Sequence, residues 1–211
     1  MRERIANIVG INAARYLQMG TFHSVFSHIL RTEAERIGYN PRFTIYDRSD
    51  SSSLIKTIIK ESGLDDKKYK PNTVLSRISW AKNRLILPES YANDPGLLKS
   101  DSAANIPEVR NIYANYQKRL KAAEAMDFDD LLVYMYVLLC NNEDIRKKYV
   151  ERFEFVLVDE YQDTNYTQAR ILDLLTRERK RICVVGDDAQ SIYAFRGADI
   201  DNILNFTQTF P

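Results

Sequence analysis

The chain has 211 residues, is 45% hydrophobic and 28% charged, and carries a formal net charge of +1. This is the composition of a globular protein with one large domain or two small ones. It excludes a globally basic nucleic-acid binder, so any such contact has to come from local patches. The opening MRERIANIVG lacks a signal-peptide core, and the longest apolar run, LLVYMYVLLC, is about half a membrane span. Cys140 and Cys183 follow no metal spacing and are expected as buried thiols of a cytoplasmic protein.

In chain order, MRERIANIV reads as the end of a helix stopped at Gly10. After a turn at Gly20, apolar residues at Phe22, Val25, Phe26, Ile29 and Leu30 have helical spacing, closed by Gly38 and Asn40-Pro41. From there to about residue 150 the pattern is helical throughout. SDSSSLIKTIIKES begins with cap residues and puts Leu54, Ile55, Ile58 and Ile59 on one face. PNTVLSRISWAKNRL, IPEVRNIYANYQKRLKAAEAM and DFDDLLVYMYVLLC continue in the same way. After Tyr149 the texture changes: FEFVLVDE reads as a short buried strand, TQARILDLLTRE as a helix, RICVVGDD as a second strand, and DNILNF as the start of another helix. Strand, helix and strand with short joints imply a parallel βαβ unit.

Both strands run directly into acids, Asp159-Glu160 and Asp187-Asp188. In parallel α/β sheets, ligands bind beyond the carboxyl ends of the strands. An Asp there can hold Mg²⁺ of a nucleoside triphosphate, and a Glu beside it can deprotonate the attacking water. Acids at a strand end also serve simply as helix caps or surface ion pairs. The length of VLVDEYQDTN and VVGDDAQSIYAFRGAD, and their spacing, favour the chemical reading.

These segments resemble the superfamily 1 DNA helicases of the UvrD, Rep and PcrA group across essentially the whole chain. VDEYQDTN resembles helicase motif II (the Walker B element), GDDAQSIYAFRGAD motif III, GTFHS motif Ib and MRER the tail of motif Ia; DFDDLL resembles the acidic motif that precedes motif II. The resemblance implies an α/β fold: part of a RecA-like (P-loop NTPase) parallel sheet with a large inserted all-helical subdomain. It divides the chain into 1–28 and 151–211 from the first motor domain, with 29–150 inserted. It implies ATP and Mg²⁺ as cofactors. Asp159 would hold the metal, Glu160 would be the catalytic base, and Gln162, Asp163 and Asp187 would shape the nucleotide site. Gln190 would sense the γ-phosphate and act in catalysis. Tyr193 and Phe195 would stack on bases of single-stranded DNA, Arg196 would make a backbone or linking contact, and Thr21, Phe22 and His23 would line the same groove. His23 also reads, without the family, as a satisfied core histidine. Two positions depart from the family: Phe195 stands where tryptophan is commoner, and Ala189 where an acid is usual.

None of the seven glycines precedes a lysine, so the phosphate-cradling G-x-x-x-x-G-K-[ST] is not in the chain. The expectation is a piece of an ATP-dependent 3′→5′ helicase, inactive alone, whose remaining domains are its partners in the parent chain, with single-stranded DNA and single-strand/duplex junctions as substrate and no membrane association. Basic residues in DDKKYK, SWAKNRL and NYQKRLK could touch duplex phosphates or could be solvated helix faces. The alternative is a stand-alone, non-catalytic DNA-binding or interaction module.

Overall fold

The structure is a computed structural model that describes residues 2–187 and 201–209. Helices α1 (Arg2–Val9) and α2 (Ile11–Tyr16) meet at Gly10, whose φ of 88° is the turn that stops the first. Helix α3 (Phe22–Thr32) is started by Thr21, whose Oγ1 accepts the Ser24 N–H at 3.3 Å, and buries Phe26, Ile29 and Leu30. It runs unbroken across position 28 and ends through a 3₁₀ turn, Ala34–Ile37, closed by Gly38 in the left-handed conformation.

Helix α4 (Arg48–Glu61) starts earlier than its serine run suggests. Asp47 accepts the Asp50 N–H while Asp50 accepts the Asp47 N–H, a reciprocal capping box that outcompetes the serines. Helices α5 (Pro71–Lys82), α6 (Pro88–Ala92), α7 (Pro95–Ala103) and α8 (Val109–Ala122) follow, the first three each with proline in the first turn. Helix α9 (Phe128–Asn141) opens with a second capping box, Asp127 and Asp130, and α10 (Glu143–Arg152) follows it.

The region expected to be helical throughout contains a strand pair. Strands β1 (Thr44–Tyr46) and β2 (Ala125–Asp127) pair in parallel, Thr44 opposite Ala125 and Tyr46 opposite Asp127. Three-residue strands leave no usable alternation, and Ala125, Met126 and Asp127 are all buried, so nothing local distinguishes them from helix. The expected βαβ unit is present: β3 (Val156–Val158), α11 (Tyr166–Thr176) and β4 (Ile182–Val184), with β3 and β4 parallel. Two short helices, α12 (Asp201–Leu204) and α13 (Phe206–Thr209), close the described chain.

Among the described residues, packing forms two large cores and one small one. The first joins α3, Tyr39 and Phe43 to α9, α10 and α11 through Phe26, Leu30, Met135, Leu138, Tyr149 and Ile171. The second lies among α4, α5, α6 and α8, around Ile55, Ile58, Ile78, Tyr91, Tyr113 and Tyr116. Each fully buried Ile in it contributes about 1.5–3 kcal/mol. The small core holds Val158, Tyr161 and Leu172, with Phe22, Val156, Ile182, Val184, Ile203 and Phe206 partly buried against it.

Strand β3 is not buried as its apolar run suggested: Val158 faces inward, but Leu157 is 78% exposed. Its register partner Cys183 is exposed too, because side chains alternate and this face of the two strands is uncovered. Cys140 is likewise exposed near the end of α9, so neither thiol is buried as expected. Among the described residues, no helix is long and apolar enough to cross a membrane.

Candidate nucleotide-hydrolysing site

The β3–β4 ladder continues past the strands: Val185 N–H donates to the Val158 carbonyl at 2.8 Å, and Tyr161 N–H to the Val185 carbonyl at 2.9 Å. These bonds clamp the two residues between, Asp159 and Glu160, at the strand end. Asp159 is exposed and its Oδ1 accepts the Glu160 N–H at 3.1 Å. Glu160 sits at φ 52°, ψ 44°, a left-handed conformation that non-glycine residues seldom adopt and that clusters at functional sites. That turn lets the chain reverse immediately after the strand into the 3₁₀ turn Tyr161–Asp163, while the Glu160 side chain stays exposed.

Gln162 is buried and ties the two strand ends together. Its Nε2 donates to Glu160 Oε2 at 2.7 Å, and its Oε1 accepts the Asp187 N–H at 3.1 Å. Gly186 leaves room for it: a Cβ there would lie 2.5 Å from Gln162 Oε1 and 2.8 Å from Ile203 Cδ1, so one of them would have to shift. Tyr161 packs edge-on against Phe206 at 5.4 Å, and burial pushes its hydroxyl pKa up. Burial and then the nearby Glu160 charge push the Asp163 carboxyl up as well, and its buried Oδ1 has no hydrogen-bond partner. Thr164 Oγ1 closes the turn on the Tyr161 carbonyl at 2.7 Å. Asn165 then caps α11 in a box with Gln168.

The donor set fits Mg²⁺, which takes one or two carboxylates and completes its shell with water and phosphate oxygens. Asp159 offers an exposed carboxylate, and the unpartnered Asp163 Oδ1 is an acceptor suited to a metal-bound water. Among the described residues no group of three or more His, Cys, Asp or Glu could hold a metal unaided. The residues therefore suit the metal and water side of a nucleotide site.

The first turn of α3 lies against this unit because Phe22 packs into both the first core and the small one. Phe22 is thus a packing residue, half-buried with its ring 5.6 Å from Phe26. Thr21 is exposed. His23 is half-buried and edge-on to the half-exposed Phe128 ring at 5.7 Å; burial lowers its pKa, opposed by a hydrogen bond to the Phe128 backbone. So the structure brings together Asp159, Glu160, Gln162, Asp163 and Asp187, with Thr21, Phe22 and His23 on the neighbouring helix. Asp188, Ala189, Gln190, Tyr193, Phe195 and Arg196 lie outside the described residues.

Sequence reasoning did not find the polar node where the C-terminus of α5 meets the N-terminus of α9. Lys82, counted with the basic residues of SWAKNRL, has a side chain only 1% exposed and pairs with Asp127 and Asp130, each at 2.8 Å. A phosphate contact from it is excluded. Tyr116 and Gln117 donate to the same two carboxylates. Lys82 and Asp127 each favour the other's charged form, Lys82 above its usual value and Asp127 below it. Burial and the Asp127 charge push Asp130 up to about 7. The signal was present: Val74, Ile78 and Lys82 continue one apolar stripe at four-residue spacing, which puts the lysine on the inward face.

The model of the UvrD/REP helicase N-terminal domain matches residues 1–211. Over all 211 residues the chain is 41% identical to the ATP-dependent DNA helicase PcrA of Leuconostoc citreum and 41% identical to that of Bacillus subtilis strain 168. It is 40% identical to that of Staphylococcus aureus strain Mu50. It spans 27% of the length of the first of these relatives and 28% of the other two. A match over the full chain, joined to acids presented at the ends of two parallel strands, establishes that the chain belongs to the UvrD/REP helicase N-terminal domain family.

Proposed function

We propose that this chain forms part of the first motor domain of an ATP-dependent DNA helicase, and that the whole protein couples ATP hydrolysis to 3′→5′ movement on single-stranded DNA and to unwinding at single-strand/duplex junctions in the cytoplasm. The observation that carries this reading is Glu160, held in a left-handed turn at the end of β3 with its carboxylate fixed by Gln162, beside the exposed Asp159. The names of the relatives support it, all three being ATP-dependent DNA helicases.

In this reading Glu160 accepts a proton from the attacking water, and Gln162 keeps its carboxylate oriented. Asp159 holds Mg²⁺, with Asp163 as a candidate acceptor for its water; the bound ion supplies charge neutralisation on the phosphates. Gln162 also joins Glu160 to the Asp187 backbone, which leads toward Gln190, proposed as the γ-phosphate sensor. Tyr193, Phe195 and Arg196, with Thr21 and His23, are proposed to contact single-stranded DNA, and the half-exposed Phe128 adds an aromatic face beside His23. Residues 29–150 are proposed as the helical insertion that meets the duplex. The 211 residues alone are expected not to turn over ATP, since they contain no phosphate cradle.

The test is made on the full-length protein. ATP hydrolysis is measured with and without single-stranded DNA, and strand displacement on partial duplexes with 3′ or 5′ tails. DNA-stimulated hydrolysis with displacement from the 3′-tailed substrate is the expected result. DNA binding without hydrolysis would replace this reading with that of a non-catalytic binding module.

A further inference from the structure

Three helix ends converge beside the hydrolytic loop: the C-terminus of α5 and the N-termini of α9 and α11. Asn165, at the N-terminus of α11, commits its Oδ1 to the Gln168 N–H at 2.8 Å, so its Nδ2 is the half of the amide left to face α5. That Nδ2 donates to Asn83 Oδ1. Asn83 Nδ2 in turn donates to the Ser79 carbonyl at 2.8 Å and to Asp129 Oδ1 at 2.9 Å. The chain of donors has only one polarity, because the Ser79 backbone carbonyl accepts and cannot donate, which fixes Nδ2 of Asn83 on that side and Oδ1 toward Asn165. Thr167 Oγ1 adds a parallel bond to the Lys82 carbonyl at 3.3 Å. Asn83 and Asn165 are both buried, and the α5 end is anchored underneath by Lys82 between Asp127 and Asp130.

We propose that Asn83 and Asp129 are positioning residues for ATP hydrolysis: through Asn165 they hold the N-terminus of α11, and with it the loop that presents Asp159 and Glu160, against the helical insertion. The loop 159–165 is clamped at one end by the β3–β4 ladder. The Asn83–Asn165 contact fixes its other end. With one clamp released, Gln162, which orients the Glu160 carboxylate, loses its fixed place, while the backbone of Asp159 and Glu160 stays held by the ladder and groups that bind nucleotide elsewhere are untouched. This inference rests on the functional reading above.

The test uses the full-length protein, steady-state ATP hydrolysis with single-stranded DNA, and hydrogen–deuterium exchange over residues 159–168. Asn83→Ala is expected to lower kcat by about 10-fold while KM for ATP changes by less than about 2-fold, with faster exchange in the loop. Asn83→Asp preserves volume but turns two acceptors toward each other, and is expected to be at least as damaging. The double variant Asn83→Asp/Asp129→Asn restores the donor–acceptor pair between 83 and 129 while leaving the Ser79 carbonyl without its side-chain donor, and is expected to raise kcat at least about 3-fold above Asn83→Ala and to slow exchange toward its original rate. If Asn83→Asp fails to fold, the double variant alone decides. Unchanged kcat in Asn83→Ala, or a folded double variant no faster than Asn83→Ala, would overturn the proposal; so would faster exchange without loss of kcat, which marks a bridge with a structural role only. An unaltered protein that hydrolyses no ATP sinks the functional reading itself, and is distinguished by its exchange pattern still responding to the variants.

Discussion

In the second core, Ile55, Ile58, Ile78, Tyr113 and Tyr116 are completely buried, and even the lysine in its neighbourhood is paired twice. At the end of β3 the arrangement is reversed. Leu157, Phe155 and Val185 are exposed, and so are Asp159 and Glu160. The most completely buried packing and the proposed chemistry therefore lie in different parts of the molecule. The helices around the second core keep their large side chains inside, whereas the strand end presents groups outward and holds them with a few specific bonds. Stability differs between such regions in many proteins, and functional loops come from the less stable end.

This contrast can be broken most directly at Lys82. Removing its charge strands Asp127 and Asp130 in the interior, and Lys82→Ala is expected to cost about 3–5 kcal/mol in urea unfolding. Lys82→Met should cost nearly as much, since pairing and not stem volume is what is lost; a stable Lys82→Met protein would show that the buried charges are not interdependent. At the strand end, Gly186→Ala is expected to cost about 1–3 kcal/mol, because the new methyl group meets Gln162 Oε1 and Ile203. It should also slow ATP turnover by displacing Gln162, and full activity in that variant would show the Gln162 link to be dispensable. Asn165→Ala removes the α11 cap and is expected to cost about 1 kcal/mol by thermal unfolding.

The smallest expected effect is a pH slope at His23. Its folded pKa is lowered by burial below the ordinary 6.5, so the unfolded chain takes up the proton first as pH falls. Its contribution to stability is complete above about pH 6.5 and is lost on acidification below that. Replacing it by Gln should flatten the stability–pH curve on the acid side of 6.5, and an unchanged slope would show that His23 is solvated.

Much of this was legible in the sequence where pattern and chemistry coincide. FEFVLVDE and RICVVGDD read as strands with acidic ends because each is a short apolar run stopped by acids, and the two runs do pair in parallel. Asp159, Glu160, Gln162, Asp163 and Asp187 do come together. The β1–β2 pair was not legible, because three residues carry too little period. Nor was the exposure of Cys183 and Leu157, which depends on what covers a sheet face and not on the strand itself. Lys82 was read as surface because charge is normally solvated; only its place in the Val74–Ile78 stripe argued otherwise. The Asn83–Asn165 bond joins residues 82 positions apart and leaves no local trace.

The most direct test of the central claim is ATP turnover by full-length Glu160→Gln protein, with nucleotide binding measured in parallel. Binding should be retained while kcat falls by roughly 10²–10⁴, the usual contribution of a positioned general base. Retained kcat with a folded protein would mean that Glu160, for all its geometry, does not activate the water, and that the strand end serves some other purpose.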